Sequence, residues 1–176
     1  RDAAKSGDVI AVTGTLGDAA LGLKVLQGGL TDLNEADKAF LSSRYLVPQP
    51  RMDVGMKCAA GNARYAAMDI SDGLTGDCRK ICTASDVGMV FDRESIPLSD
   101  ATANAVRDNP VLWESVLGGG DDYELLICAK RADIDALGRD VTIIGEVTDQ
   151  SGQVYLRDAD NKKAELAKGG FDHFGF

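Results

Sequence analysis

The sequence predicts an α+β fold, a mixed β-sheet with helices packed on it. Three observations predict it. Strand-like and helix-like stretches alternate in the first half of the chain. Strand patterns cluster in the second half. The 176 residues, 44% hydrophobic and 27% charged, suffice for a domain with a sizeable core. No repeat, low-complexity run or linker interrupts the chain, so residues 1–176 read as a single domain.

The elements follow in order. Asp8 to Thr13 is an apolar strand, and Gly14 to Asp18 a turn. Ala19 to Gln27 is a helix closed by Gly28-Gly29. The stretch Gly17 to Lys24 is not a phosphate-binding loop, because its lysine comes one residue late and no Ser or Thr follows. Thr31 to Tyr45 is a helix capped by Thr31 or Asn34, with Ala36, Ala39, Phe40 and Ser43 inward, and Pro48-Gln49-Pro50 ends it. Arg51 to Asn62 is a third helix with Val54 and Cys58 inward. Tyr65 to Met68 is a short buried strand, and Leu74 to Ala84 an amphipathic helix with Leu74, Cys78, Ile81, Cys82 and Ser85 on one face. Val87 to Asp92 is a strand, and Pro97 to Asp100 opens a helix through Val106. Leu117 to Asp122 is a glycine-rich turn feeding a strand over Tyr123 to Ala129. A brief helix over Ala132 to Leu137 precedes a strand over Val141 to Val147, with Ile143 and Ile144 central. Asp149 to Gly152 then turns the chain into Gln153 to Arg157, a predicted hairpin.

Charge and cysteine content exclude several functions. A net charge of −9 and a pI near 4.5 repel nucleic acid and anionic membranes. An anionic substrate would need metal ions to bridge it to carboxylates. Cys58, Cys78, Cys82 and Cys128 form no C-x-x-C pair and lie in apolar runs, which points to buried thiols in a reducing cytoplasm. No stretch approaches a membrane span or a signal peptide. The chain opens on Arg1 with a strand close behind, as a piece of a longer protein would.

Two stretches carry more glycine and acid than folding requires. Asp69-Ile70-Ser71-Asp72-Gly73 lies between a strand end and a helix start, where α/β proteins place ligand chemistry and a helix offers free N–H groups. Asp69 and Asp72 suit magnesium, which takes hard oxygen ligands and one or two carboxylates beside waters and phosphates. The same residue types also serve as helix caps and turns. In the second stretch, Gly118 to Glu124, three glycines let a ligand approach the backbone, and the acids that follow accept hydrogen bonds or help hold a cation. Near the C-terminus, Phe171, Phe174 and Phe176 either clamp the tail to the core or stack a flat heterocycle. His173, the single histidine, suggests no catalysis.

Taken together, Asp-Ile-Ser-Asp-Gly-Leu after an apolar strand, Val-Thr-Gly-Thr-Leu-Gly-Asp at the front, Gly-Gly-Asp-Asp-Tyr-Glu-Leu-Leu, Ile-Ile-Gly-Glu-Val and the terminal Gly-Phe-Asp-His-Phe resemble thiamine-monophosphate kinase. The resemblance covers essentially the whole chain, but only the C-terminal domain of that family's proteins. The wider superfamily includes aminoimidazole ribonucleotide synthase and selenophosphate synthetase. The resemblance implies a three-layer α/β/α domain, partly ferredoxin-like. It implies ATP-dependent phosphorylation of thiamine phosphate to thiamine diphosphate, in the cytoplasm. It assigns Asp69 and Asp72 to magnesium, Ser71 and Arg1 to ATP, and Asp121 and Phe171 to substrate. Asp121 stands where the family usually has Glu, which shortens the carboxylate's reach by one methylene. The resemblance further implies an N-terminal domain absent from this chain, a homodimer in the full-length protein, and little turnover by this piece alone. Two other readings share these motifs: a sister enzyme of the superfamily acting on another small substrate, and a non-catalytic binding module of the same fold.

Overall fold

The computed structural model describes residues 1–166. Among these, seven strands form one mixed sheet in the order β2-β4-β1-β5-β3-β6-β7. The strands are β1 (Val9–Thr13), β2 (Ala66–Asp69), β3 (Gly88–Asp92), β4 (Leu125–Ala129), β5 (Val141–Thr148), β6 (Val154–Arg157) and β7 (Lys163–Glu165). All neighbours are antiparallel except β3 and β6, which run parallel. Helices lie on both faces: α1 (Asp18–Leu26), α2 (Glu35–Leu46), α3 (Met52–Ala60), α4 (Leu74–Ser85), α5 (Asp100–Asp108), α6 (Trp113–Gly118) and α7 (Arg131–Asp135).

The two-residue period of the strands creates the layers. Ile10 and Val12 of β1, Met68 of β2, Leu126 and Cys128 of β4, and Ile144 of β5 point to one face and meet α1, α2, α4, α5 and α6 in the main core. Ala11, Ile127 and Ala129 point to the other and meet Val54 of α3 and Ile134 of α7. In α4, Leu74, Cys78, Ile81 and Cys82 are buried as the helical spacing predicts. Ile143 and Ile144 fall on opposite faces of β5, which lies inside the sheet between β1 and β3. All four cysteines are free thiols.

Three expectations are corrected. The predicted hairpin does not form, because β3 lies between β5 and β6. The link after β5 wraps the start of β3 instead. Gly152 N–H donates to Val87 O at 2.9 Å, and Met89 N–H to Gln153 O at 2.9 Å. Gly88 makes this possible, since a Cβ there would stand 2.2 Å from Gln150 O. In α2 the predicted inward residues Ala36, Ala39, Phe40 and Ser43 are all exposed, while Leu41 and Arg44 are buried. The helix is turned by one residue, about 100°, because the buried acids Asp18 and Glu124 draw Arg44 inward. The helix α6, missing from the sequence reading, precedes the glycine-rich turn and buries Val116 and Leu117. The cap of α2 is Asn34, which accepts from Asp37 N–H at 2.9 Å.

The α1–α2 contact depends on Gly22, where an added Cβ would lie 2.1 Å from Leu41 O. Gly55 in α3 has nothing within 4 Å. Gly22→Ala is therefore expected to cost about 1–3 kcal/mol despite its better helix propensity. Gly55→Ala is expected to gain up to ~1 kcal/mol. Urea unfolding of the two variants checks both signs.

Candidate active site

The two glycine-and-acid stretches lie side by side at one end of the sheet. Asp69 closes β2 opposite Leu125, which opens β4. The pairing runs on beyond the strands: Ile70 N–H donates to Glu124 O at 2.8 Å, Tyr123 N–H to Ile70 O at 2.9 Å, and Asp121 N–H to Ser71 O at 3.1 Å. Glycines permit this approach. A Cβ on Gly73, itself at φ +92°, would meet Gly118 O at 2.6 Å, and one on Gly120 would meet Ser71 O at 2.2 Å. Asp121 and Tyr123 both sit in the left-handed region, at φ +70° and +53°.

The acids of these loops divide by exposure. Asp69 is exposed, and Ser71, Asp72 and Asp121 are half-buried. Asp122 and Glu124 are buried, so they do not hold a ligand as the sequence reading allowed. Their even spacing with Leu126 was the available signal, since all three share the inward face of one extended stretch.

Glu124 is held by four hydrogen bonds. Oε1 accepts from Arg44 Nη2 at 2.8 Å and Arg51 Nη2 at 2.7 Å. Oε2 accepts from Arg51 Nε and Thr13 Oγ1, each at 2.6 Å. Arg44 Nε also lies 3.6 Å from Asp18, whose carboxylate accepts from Thr15, Ser99 and Thr102. The sequence reading missed Arg44 and Arg51, because an arginine on a helix is ordinarily solvated until a buried acid is known to face it. Asp122 accepts from Gly17 N–H at 2.7 Å and Ala19 N–H at 3.0 Å at the start of α1. Burial outweighs those two bonds and raises its pKa to about 7.

Asp77 is the second residue the sequence reading passed over. Fully buried in the first turn of α4, its Oδ2 accepts from Ser71 N–H at 2.8 Å and Asp72 N–H at 2.9 Å. The N-cap position belongs to Gly73, not to Asp69, Ser71 or Asp72. The N–H groups of Ser71 and Asp72, just before that cap, are thus spent on a carboxylate of the chain itself. Lys80 joins Asp72 Oδ2 to Asp77 Oδ1, the latter at 2.7 Å. The hydroxyl of Tyr123 is placed among acids: its pKa is raised by the charge of Asp121 first, then by burial and a hydrogen bond to Asp121, with Asp69 and Asp72 adding.

Of the predicted site residues, Asp69, Ser71, Asp72 and Asp121 come together here. Arg1 does not. Its carbonyl accepts from Ser85 Oγ at 2.8 Å, at the far end of α4, a twelve-residue helix about 18 Å long. Phe171 lies outside the described residues. Among the described residues, no group of three or more His, Cys, Asp or Glu is arranged to hold a metal ion. A cavity of about 400 Å³ opens beside Gly14 and Arg51 and is lined by Asp53 and Arg139, but by none of the predicted site residues.

Residues 5–157 match the family model described as AIR synthase related protein, C-terminal domain. The chain belongs to that family. Its relatives include the thiamine-monophosphate kinases of Escherichia coli (strain K12), 39% identical over 99% of this chain and 54% of the relative, and of Synechococcus elongatus, 38% identical over the same shares. Among solved structures, "AaThiL complexed with AMPPCP and TMP" superposes with a TM-score of 0.81 at 34% identity, covering 98% of this chain and 53% of that one. The thiamine-monophosphate kinase of Stenotrophomonas maltophilia K279a superposes with a TM-score of 0.78 at 37% identity, covering 93% and 53%. Escherichia coli HypE, at 18% identity and a TM-score of 0.76, shares the fold. The chain spans about half the length of the curated relatives it matches. Among the described residues, no helix is long and apolar enough to cross a membrane.

Two predictions follow from the buried acids. Asp77→Ala strips the partner from two loop N–H groups and from Lys80. It is expected to cost about 2–4 kcal/mol and to speed amide exchange at Ser71 and Asp72. Urea unfolding and hydrogen exchange read the two effects. An acid raised to about 7 in the folded state binds its proton more tightly there than in the unfolded chain. Its contribution to stability therefore falls as pH rises from the unfolded carboxyl pKa to about 7. Between pH 6 and pH 8 the wild type is expected to lose about 1 kcal/mol more than Asp122→Asn, measured by urea unfolding at both values.

Proposed function

We propose that this chain supplies the acid-loop half of a kinase that phosphorylates thiamine phosphate to thiamine diphosphate, using ATP and magnesium. The observation that carries this reading is the meeting of the 69–73 and 118–124 loops at one end of the sheet, bonded backbone to backbone. The thiamine-monophosphate kinase relatives, and a structural neighbour described as complexed with AMPPCP and TMP, support it.

The donor set fits magnesium. Asp69 and Asp72 are hard oxygen ligands at the surface, and Asp72 already accepts a cation, the ammonium of Lys80. Magnesium needs one or two carboxylates, with waters and phosphate oxygens completing its shell, so a cage of three acids is not required. Asp69 and Asp72 would hold the ion, which supplies charge neutralisation between two anionic reactants. Ser71 would contact ATP, and Asp121, on its left-handed backbone, would contact the substrate. Phosphoryl transfer to a phosphate oxygen asks the protein for positioning and electrostatics, not for a protein nucleophile. Arg1, a helix length away, is assigned no part by this geometry.

The test is an assay of the full-length protein with thiamine phosphate and ATP. Asp69→Asn and Asp72→Asn are each expected to lower kcat by about 100-fold or more while keeping the wild-type melting temperature within a few degrees. Chelation of magnesium should abolish turnover. Retained activity in both variants would refute the assignment.

A further inference from the structure

The acid loop already contains a cation of its own. Lys80 reaches back from the second turn of α4 and joins Asp72 to Asp77. We propose that Lys80 is a resident counter-ion that competes with the divalent cation for Asp72 and so sets the loop's metal affinity. This rests on the reading of Asp69 and Asp72 as the metal-holding pair.

The two carboxylates that Lys80 joins are not equivalent. Asp77 has no side-chain exposure, and its other oxygen is committed to Ser71 N–H and Asp72 N–H. Asp72 is 28% exposed, and Lys80 39%. Asp77 is therefore the fixed anchor, and Asp72 is the carboxylate where an incoming ion meets the ammonium. Asp77 and Lys80 are three apart on the helix, so that pair shares a face and persists when Asp72 changes partner. An ammonium on a four-carbon stem rotates its three donors at little cost, which suits a cation that must give way. Once released from Asp72 it stays tethered to Asp77, one side chain from the loop, where it can meet a phosphate oxygen. Lys80 also offsets the charge of Asp72 when no metal is bound.

The test uses Mn2+ as probe, titrated without nucleotide at low ionic strength and read by electron paramagnetic resonance. Lys80→Gln removes the charge but keeps an N–H donor for Asp77. It is expected to bind Mn2+ about 3- to 10-fold more tightly than wild type. Lys80→Arg, which keeps the charge and pairs carboxylates more firmly, should bind no more tightly than wild type, and Asp72→Asn should bind far more weakly. Equal or weaker binding by Lys80→Gln, with loss in Asp72→Asn, would overturn the counter-ion role and leave the metal reading intact. Unchanged binding in Asp72→Asn, or no binding by any form, would overturn the metal reading and this proposal together. A second measurement needs no variant. On titration of the wild type with Mg2+, the Lys80 side-chain 13Cε resonance should shift with the same midpoint as binding, and a resonance that stays still refutes the exchange.

Discussion

The carboxylate of Glu124 is the constraint on which the sheet end depends. A buried, unpaired charge would cost several kcal/mol, so it must be surrounded. Arg51 grips it with two nitrogens, Arg44 adds a third, and Thr13 a hydroxyl. These partners come from β1, α2 and the start of α3. One side chain thereby ties together elements far apart in sequence. It also demands Gly14, where a Cβ would lie 2.1 Å from Glu124 Oε1. The same residue's backbone carbonyl accepts from Ile70 N–H. The knot beneath the surface therefore holds the stretch from which Asp69 and Asp121 project.

Above that knot the two loops share their backbone polar groups. Non-glycine residues in the left-handed region cost roughly 1–3 kcal/mol each where strained, and here Asp121 and Tyr123 flank one buried acid. The three backbone hydrogen bonds to Ile70 and Ser71 hold them in place. The result is alternation. Asp122 turns in to the start of α1 and Glu124 to the arginines, while Asp121 and Tyr123 stay at the surface. Acids one residue apart thus stand in opposite places: Asp122 helps assemble the fold, and Asp121 faces the loop surface.

How much of this was legible in the sequence depends on how local each signal was. Six of the strands and six of the helices correspond to stretches singled out by hydrophobic period and turn residues. The short strand β7 and the helix α6 were missed. Pairing was less readable: the turn before β6 looks like a hairpin, yet β3 takes the place beside β5 through contacts no local window contains. The rotation of α2 was hidden for the same reason. Phe40 is the more apolar residue, but Arg44 is drawn in by Asp18 of α1 and by Glu124, just before β4. Asp69, Ser71, Asp72 and Asp121 were found because glycine and acid concentrate around them. Asp77 and Lys80 were not, since a charged pair three apart on a helix usually marks a solvated face. Only the burial of Asp77 shows otherwise.

That burial decides which polar groups of the turn face outward. A strand-to-helix turn commonly binds anions through its N–H groups. In this chain Asp77 has taken the N–H groups of Ser71 and Asp72, so these two donors face inward. What remains outward is carboxylate oxygen, from Asp69 and Asp72 on one loop and Asp121 on the other. In a chain of net charge −9, such a surface attracts cations and repels phosphates. Positive charge is accepted there, as the ammonium of Lys80 on Asp72 shows. One side chain in the first turn of α4 thereby withdraws two amides of the turn and leaves its carboxylates outward.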